Sequence, residues 1–417
     1  MSPEIDAARL LARIGALARI SASPAPAVTR LAWTAEWREA ADLLLEWAAQ
    51  AGARAWVDPV GNVIAERSGA ETTKPPLVTG SHLDTVPGGG PLDGAYGVVA
   101  AWEVLASLYD AGIRLRHPVR AVAFVNEEGV VALPYTGSRA VVGLVDEAEL
   151  AGIQMDGRTL DMIMSEAGCL PEALHEAEWP QGAAAVVELH VEQGPVLDSS
   201  RVPVGVVTAV TGQQRGAIEI RGRANHAGTT PMAMRRDALA AAAELVLAVE
   251  NLAGPGRCDV ATVGRLHVEP GAANVIAGRV SMSFDLRSPI EDRTDAAVDE
   301  LGRRTKDVCS TRGVEVDLDP ATPTRPVAAD PVIQDTIEIA ASQLGLESLR
   351  MPSGAGHDCA ILARNAPFGM IFVPSRGGVS HHGSEATPDA ALVDGARVLL
   401  RCLIDLDSVI DVGGANE

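Results

Sequence analysis

The chain has 417 residues, 47% of them apolar, with Lys+Arg 34 against Asp+Glu 55 and a formal net charge of -21. That length exceeds the size at which one hydrophobic core keeps growing, so two domains are expected, and the negative charge argues against nucleic acid and anionic membrane as partners. Cys169, Cys258, Cys309, Cys359 and Cys402 are scattered without C-x-x-C spacing, which argues against a disulfide framework or a thiolate zinc site.

Glu4 and Asp6 stand where an export signal would carry positive charge, and no apolar run reaches the roughly 18 to 20 residues of a membrane span. A cytoplasmic location is therefore expected. From Ile5 to Ile20 the residues Leu10, Leu11, Ile14 and Leu17 fall at mostly three- and four-residue steps, which predicts an amphipathic helix. A second helix is expected from Thr34, a suitable N-cap, to Ala51, with Gly52 past its end. Short strands are expected at Ala53–Val57 and Asn62–Glu66.

The stretch LVTGSHLDTVPGGGPLDGAYGVV, Leu77 to Val99, then combines a strand end, a glycine-rich loop and a helix start, and carries His82, Asp84 and Asp93. The loop holds no Lys and neither a Walker nor a G-x-G-x-x-G spacing, so a nucleotide is disfavoured. Imidazole and carboxylate at this density suit a divalent cation. A helix is expected near Tyr96–Ala111, and Val119–Val125 reads as a strand buried on both faces. Between Thr136 and Glu178 the pattern is helical but interrupted.

Further metal-competent groups follow other apolar runs: Glu127 and Glu128 after AVAFVN, His190 after AAAVVEL, and His381 with His382 after GMIFVPSRGGVS. In an α/β protein the crevice beyond the carboxyl ends of parallel strands is where sites are built, and these residues are expected to converge there. Taken singly, a strand-end His is an ordinary hydrogen-bonding group and a Glu-Glu pair a solvated corner. The constellation is what points to a metal.

The pattern changes near Val204, where Val204–Val210 and Arg215–Gly222 read as strands ahead of the polar loop RANHAGTTPMAMRRD. A helix over Asp237–Asn251, strands at Asp259–Val268 and Arg279–Arg287, a helix near Asp292–Ser310 and a strand at Val314–Leu318 give a compact α/β sandwich. After Pro320–Pro326 the first domain resumes with a helix from Asp330, a strand at Met370–Val373 and a closing helix from Asp389. The expected fold is α/β: a mostly parallel sheet with helices on both faces, formed by residues 1–209 and 326–417, with the sandwich inserted as residues 210–325.

The ordered motifs GSHLDTVPGGGPLDG, NEEG, ELHVEQGP, GRANHAGTTPMAMRRDA, GAANVI, DLRS, SGAGHD and GGVSHHGSEAT span about Gly80 to Thr387. Through them the chain resembles the M20 metallopeptidase superfamily, in its amidase, hydantoinase and carbamoylase branch. That branch holds N-carbamoyl-L-amino-acid hydrolases, β-ureidopropionases and allantoate amidohydrolases. The resemblance implies two divalent ions per subunit, with His82, Asp93 and His190 on one, Asp93, Glu128 and His381 on the other, and Asp93 bridging. Zinc suits this set, with manganese, cobalt or nickel as alternatives. His381 rather than His382 matches the pattern of a Ser before the His and a Glu four residues after it, here Ser380 and Glu385.

The resemblance also implies that Asp84 hydrogen-bonds His82 and that Glu127, beside a ligand, is the general base. It further implies that His226 donates to the developing oxyanion, and that Asn274 and Arg287 hold the substrate's carboxylate. Gln193 and His357 are expected to line the pocket. The insert becomes a ferredoxin-like lid and dimerisation domain, and a homodimer is implied. Relatives often carry Ser-Arg-Phe after Glu-Glu-Gly, whereas this chain has Val130-Val131-Ala132 after Gly129, so the substrate cannot be copied from any one of them. The function expected is hydrolysis of a linear amide or ureido C–N bond in a small carboxylate-bearing substrate, N-carbamoyl-L-amino acid first and allantoate second. A dipeptidase or aminopeptidase, and a non-catalytic binder of small acids, are the readings from other classes.

Overall fold

The computed structural model describes residues 3–71, 73–152 and 157–410. Its strands, in chain order, are β1 Arg54–Val57, β2 Val63–Arg67, β3 Leu77–His82, β4 Val119–Phe124, β5 Ala185–Val191, β6 Val204–Val210, β7 Gly212–Arg221, β8 Asn225–His226, β9 Val260–Thr262, β10 Leu266–Glu269, β11 Val275–Ile276, β12 Arg279–Ser288, β13 Glu315–Pro320, β14 Val327–Ala328, β15 Ser348–Ser353 and β16 Phe368–Val373. The chain divides into two compact units. The first runs to Thr208 and resumes over Ala329–Met351 and from Ala355; the second is Ala209–Ala328 with Pro352–Gly354.

The first unit is built on a sheet with the order β1-β2-β4-β3-β5-β16-β6. Its centre is parallel: β3 pairs in parallel with β4 and β5, and β16 with β5. The flanks are antiparallel, at β1–β2, β2–β4 and β16–β6. The parallel centre agrees with the mostly parallel sheet expected from the sequence, and the antiparallel pairs lie at its flanks. Strands β3, β5 and β16 are buried at every residue, which accounts for their near-continuous apolar runs.

The helix Ala95–Asp110 is buried from Ala95 through Leu108 and packs against β3. Gly97 permits that approach, because a Cβ there would run into the main-chain oxygen of Leu189. The helix Ala35–Gln50 starts at Thr34, whose hydroxyl accepts from Trp37 N, and it buries Trp37, Leu44 and Trp47. The first helix, Ala7–Ala18, is tied to Ala95–Asp110 by Arg9 and Arg13, both bonded to the fully buried Glu103. β15, which pairs with β6, was not expected from the sequence: its side chains are mostly half-exposed or exposed and Pro352 lies within it.

The second unit has its own core, formed among others by Ile218, Ile220, Leu245, Met282, Phe284, Leu286 and Leu301. Its sheet is antiparallel in the order β10-β12-β7-β13, with β9 also pairing with β12. Along β12 burial alternates strictly, Val280, Met282, Phe284 and Leu286 turning inward. The helices Ala238–Glu250 and Glu291–Arg312 both contact this sheet. Residues 283, 285 and 287 therefore share the opposite face.

Candidate metal centre

The four parallel strands of the first unit deliver their C-terminal ends to one place. His82 is the last residue of β3, and Glu127 and Glu128 follow β4. His190 is the penultimate residue of β5, and His381 follows β16 by a short loop. Asp93 enters from the glycine loop immediately ahead of the helix Ala95–Asp110. Among the described residues four groups place their ligand atoms within 4.8 Å of one another: His82, Asp93 and His190; His82, Glu127 and Glu128; Asp93, Glu128 and His381; and Glu188, His190 and His357.

Asp93 is the centre of the arrangement. Its Oδ1 lies 3.4 Å from Nε2 of His82 and 3.2 Å from Nε2 of His190, while its Oδ2 lies 3.1 Å from Nε2 of His381. The second side is completed by Glu128, whose Oε1 is 3.6 Å from the same His381 nitrogen. Each carboxylate oxygen therefore serves a different set of imidazoles.

The supporting bonds aim these groups. Nδ1 of His82 is 2.8 Å from the main-chain oxygen of Asp84, and Nδ1 of His190 is 2.8 Å from that of Val191. A donor Nδ1–H in each leaves Nε2 directed at Asp93. The expected hydrogen bond between Asp84 and His82 is made by the Asp84 main-chain oxygen and not by its carboxylate. That carboxylate accepts instead from the N–H groups of Glu127 at 3.1 Å and Glu128 at 3.2 Å. Glu385 braces Asp93 in the same manner, its Oε2 accepting from Leu92 N at 2.8 Å and Asp93 N at 3.0 Å.

The electrostatics divide the acids. Burial would push Asp93 up, but the bonds from His190, His381 and His82 outweigh it and hold the carboxyl well below its ordinary range. Burial, then the neighbouring acids Asp358, Glu128 and Asp84, raise Glu127 well above that range, against the opposing effect of His82. Burial first and Asp93 next push Glu128 up to about 7, with His82 and His381 acting the other way. Burial disfavours charge on His82, yet Glu127, Asp93 and Glu128 carry it well above the usual imidazole value. A carboxyl such as Glu127, which takes up a proton readily, is placed beside groups that favour positive charge.

Three observations fit a divalent cation here. Nitrogen and oxygen ligands about 2.0–2.1 Å from a tetrahedral ion lie about 3.3 Å apart, which is the spacing around Asp93 Oδ1. Oε1 of Glu128 is buried without a hydrogen-bond partner. Against the opposing effect of burial, the acids also raise His82, His190 and His381 above the usual imidazole value, as a negative field would where a cation sits. These residues fit the group.

The other expected residues are distributed as follows. Nε2 of Gln193 donates to Asp93 Oδ2 at 2.9 Å and to Ser380 Oγ at 3.2 Å, with φ of 58° at Gln193. His357 is 2% exposed and packs edge-on against His190, ring centroids 4.8 Å apart; burial first, and His190 next, lower its imidazole well below the usual value. His382 is exposed and its Nδ1 faces Ser384 Oγ at 2.7 Å, so His381 is the one at Asp93. In the second unit, pairing of β8 with β11 sets His226 opposite Val275, and Ala227 N donates to the oxygen of Asn274 at 2.9 Å. Arg287 lies on β12 of that unit.

Sequence reasoning missed the buried acids around this centre. Glu188 accepts from Ser81 Oγ at 2.7 Å and Cys359 N at 3.0 Å, and Asp358 accepts from Ser138 Oγ at 2.6 Å. An acid inside the otherwise apolar run AAAVVEL was the signal available for Glu188.

The model of peptidase family M20/M25/M40 matches residues 78–405. The chain is 38% identical over 397 residues to an N-carbamoyl-L-amino acid amidohydrolase of Geobacillus stearothermophilus, covering 95% of this chain and 97% of that one. It is 35% identical over 396 residues to an allantoate amidohydrolase of Bacillus subtilis (strain 168), covering 94% and 95%. The solved amidase of the hydantoinase/carbamoylase family from Burkholderia multivorans superposes with a TM-score of 0.91 at 36% identity, over 97% of this chain and 99% of that one.

Proposed function

The chain belongs to peptidase family M20/M25/M40, and from that premise we propose that it hydrolyses the linear ureido C–N bond of an N-carbamoyl-L-amino acid, releasing the amino acid, carbon dioxide and ammonia. The observation that carries this reading is the division of the Asp93 carboxylate, one oxygen toward His82 and His190 and the other toward His381. In this proposal His82, Asp93 and His190 hold one divalent ion, and Asp93, Glu128 and His381 a second. Zinc is favoured, with manganese, cobalt or nickel as alternatives. When bound, such ions polarise the scissile carbonyl and make water acidic near neutral pH.

The chain's own groups account for the rest. Glu127 accepts a proton from the attacking water and returns it to the leaving nitrogen, a task suited to a carboxyl whose proton affinity is raised. Asp84 fixes the backbone that presents Glu127 and Glu128. His226 donates to the oxyanion, Asn274 and Arg287 hold the substrate's carboxylate, and Gln193 and His357 line the pocket. The second unit acts as lid and dimerisation domain of a cytoplasmic homodimer. Among the described residues no helix is long and apolar enough to cross a membrane.

Identity of 38% to the N-carbamoyl-L-amino acid amidohydrolase, against 35% to the allantoate amidohydrolase, supports an amino-acid substrate over allantoate. The test is a panel of N-carbamoyl-L-amino acids, N-formyl and N-acetyl amino acids, allantoate and dipeptides, assayed on chain loaded with zinc, manganese or cobalt. Ammonia release from the carbamoyl compounds is expected to lead. Faster turnover of allantoate would replace the substrate, and peptide cleavage without ureido turnover would overturn the reaction class.

A further inference from the structure

On the outward face of the second unit's sheet Arg221 and Arg279 are paired with Glu219 and Asp317, whereas Arg215 and Arg287 share the single carboxylate of Asp285. Arg215, Arg265 and Arg287 line one cavity of about 600 Å³, with Asp285 as its only acid. Asp285 sits directly opposite Arg215 in the β12–β7 register and two residues before Arg287 on the same strand, so all three side chains leave the same face.

The hydrogen bonds among them are specific. Asp285 Oδ1 accepts from Nε of Arg287 at 3.0 Å, and Oδ2 accepts from Nη2 of Arg287 at 3.0 Å. Oδ2 also accepts from Nε of Arg215 at 2.9 Å. Nη1 of Arg287 donates to the oxygen of Gly354 at 2.7 Å. Burial works to raise the Asp285 carboxyl, and the bonds from Arg287 and Arg215 outweigh it and hold it below the ordinary range.

A guanidinium has about five N–H donors in a rigid plane. Three on Arg287 are engaged, and what remains is one N–H on each terminal nitrogen. Those two donors match the two oxygens of an incoming carboxylate. Without Asp285 the same side chain would be free to swing about its flexible stem, and Arg215 would lose the partner that anchors it. Two guanidinium groups around one carboxylate also leave a net positive charge, so a second anion is attracted although the first is already paired.

We propose that Asp285 is a positioning residue for substrate binding: held by Arg215, it locks the guanidinium of Arg287 in the plane in which its two free N–H groups face the substrate's carboxylate. This rests on the reading above in which Arg287 binds that carboxylate. Arg215 acts one step further back, by holding Asp285.

The test compares metal-loaded wild type with Asp285→Asn, Asp285→Ala and Arg215→Gln on a matched pair, an N-carbamoyl-L-amino acid and its carboxamide, which lacks the carboxylate. For the acid, KM is expected to rise tenfold or more in both Asp285 variants and about threefold in Arg215→Gln, with kcat within threefold of wild type. For the carboxamide, KM stays unchanged throughout. A merely structural role would shift both compounds alike or lower kcat and thermal stability alone, and either result overturns the proposal. If wild type turns over no ureido acid, the reaction reading fails separately. Calorimetric binding of the same pair then decides: loss of the preference for the acid in Asp285→Asn supports the positioning role, and an undiminished preference overturns it.

Discussion

Asp84→Asn tests whether the turn that presents Glu127 and Glu128 is held by charge. The buried carboxylate accepts from both backbone N–H groups, at 3.1 and 3.2 Å. Asparagine keeps one acceptor and turns an NH₂ toward the other N–H, so one bond to a charged acceptor is lost, worth about 1.5–3 kcal/mol. Burial raises the Asp84 carboxyl, so its charge is already costly, and the neutral amide recovers part of the loss. A net destabilisation of about 1–2 kcal/mol is expected, a fall of roughly 2–6 °C in Tm. Turnover should drop further, by about 10–100-fold, because the Glu127 carboxylate loses its aim. The ion beside His82 should hold, since His82 is bonded by the Asp84 main-chain oxygen, which the substitution leaves in place, whereas affinity on the Glu128 side weakens with the turn. The assay is thermal melting, metal analysis and kcat on one preparation. A kcat within twofold of wild type, or loss of the ion beside His82 with the turn otherwise stable, would refute the reasoning.

Glu127→Gln should bind metal as wild type does and lose about 10²–10⁴ in kcat, measured with metal content on the same sample; near wild-type turnover removes the general-base assignment. In the metal-free chain burial opposes the proton on His82, but Glu127, Asp93 and Glu128 raise its pKa, and an incoming ion must displace that proton. Apparent zinc affinity should therefore rise as pH rises through the elevated imidazole value and fall below it, with proton release seen by calorimetry in buffers of different ionisation enthalpy. A pH-independent affinity without proton release contradicts this. Gly94→Ala places a Cβ inside the His82 ring at a φ of 62°, so we expect a loss of more than about 2 kcal/mol in stability and at least tenfold weaker metal binding. Gly88→Ala, at φ of 69° with nothing within 4 Å, is the control and should cost only the backbone strain of about 1–2 kcal/mol, leaving metal affinity intact.

His82, Glu127, Glu128, His190 and His381 were legible because each follows an apolar run, and a buried parallel strand leaves such a group only one place to go, while Asp93 was legible from the glycine loop that opens a helix. Thr34 and Gly52 were legible as the ends of a helix because capping chemistry is local. What was not legible depends on partners far along the chain. Glu385 braces Asp93 across 292 positions, and no periodicity records that. Asp84 reads like a partner for the nearby His82 ring, yet its carboxylate faces the backbone of the next strand's loop. The antiparallel direction of the flanking strands escaped because burial and periodicity carry no record of strand direction, and the edge strand β15 escaped because its mostly half-exposed or exposed side chains carry no strong apolar run. The role of Asp285 is likewise non-local, because only the strand register sets it against Arg215.

The sharing of Asp93 between two sets of imidazoles has a bearing on how the protein matures. As the chain is synthesised from its N-terminus, His82, Asp93 and His190 are all present once residue 190 has been made, whereas the opposite oxygen waits for His381. The whole of the second unit is translated in between. In the two-ion reading proposed above, a chain arrested before residue 381 would lack the imidazole that faces the second oxygen of Asp93.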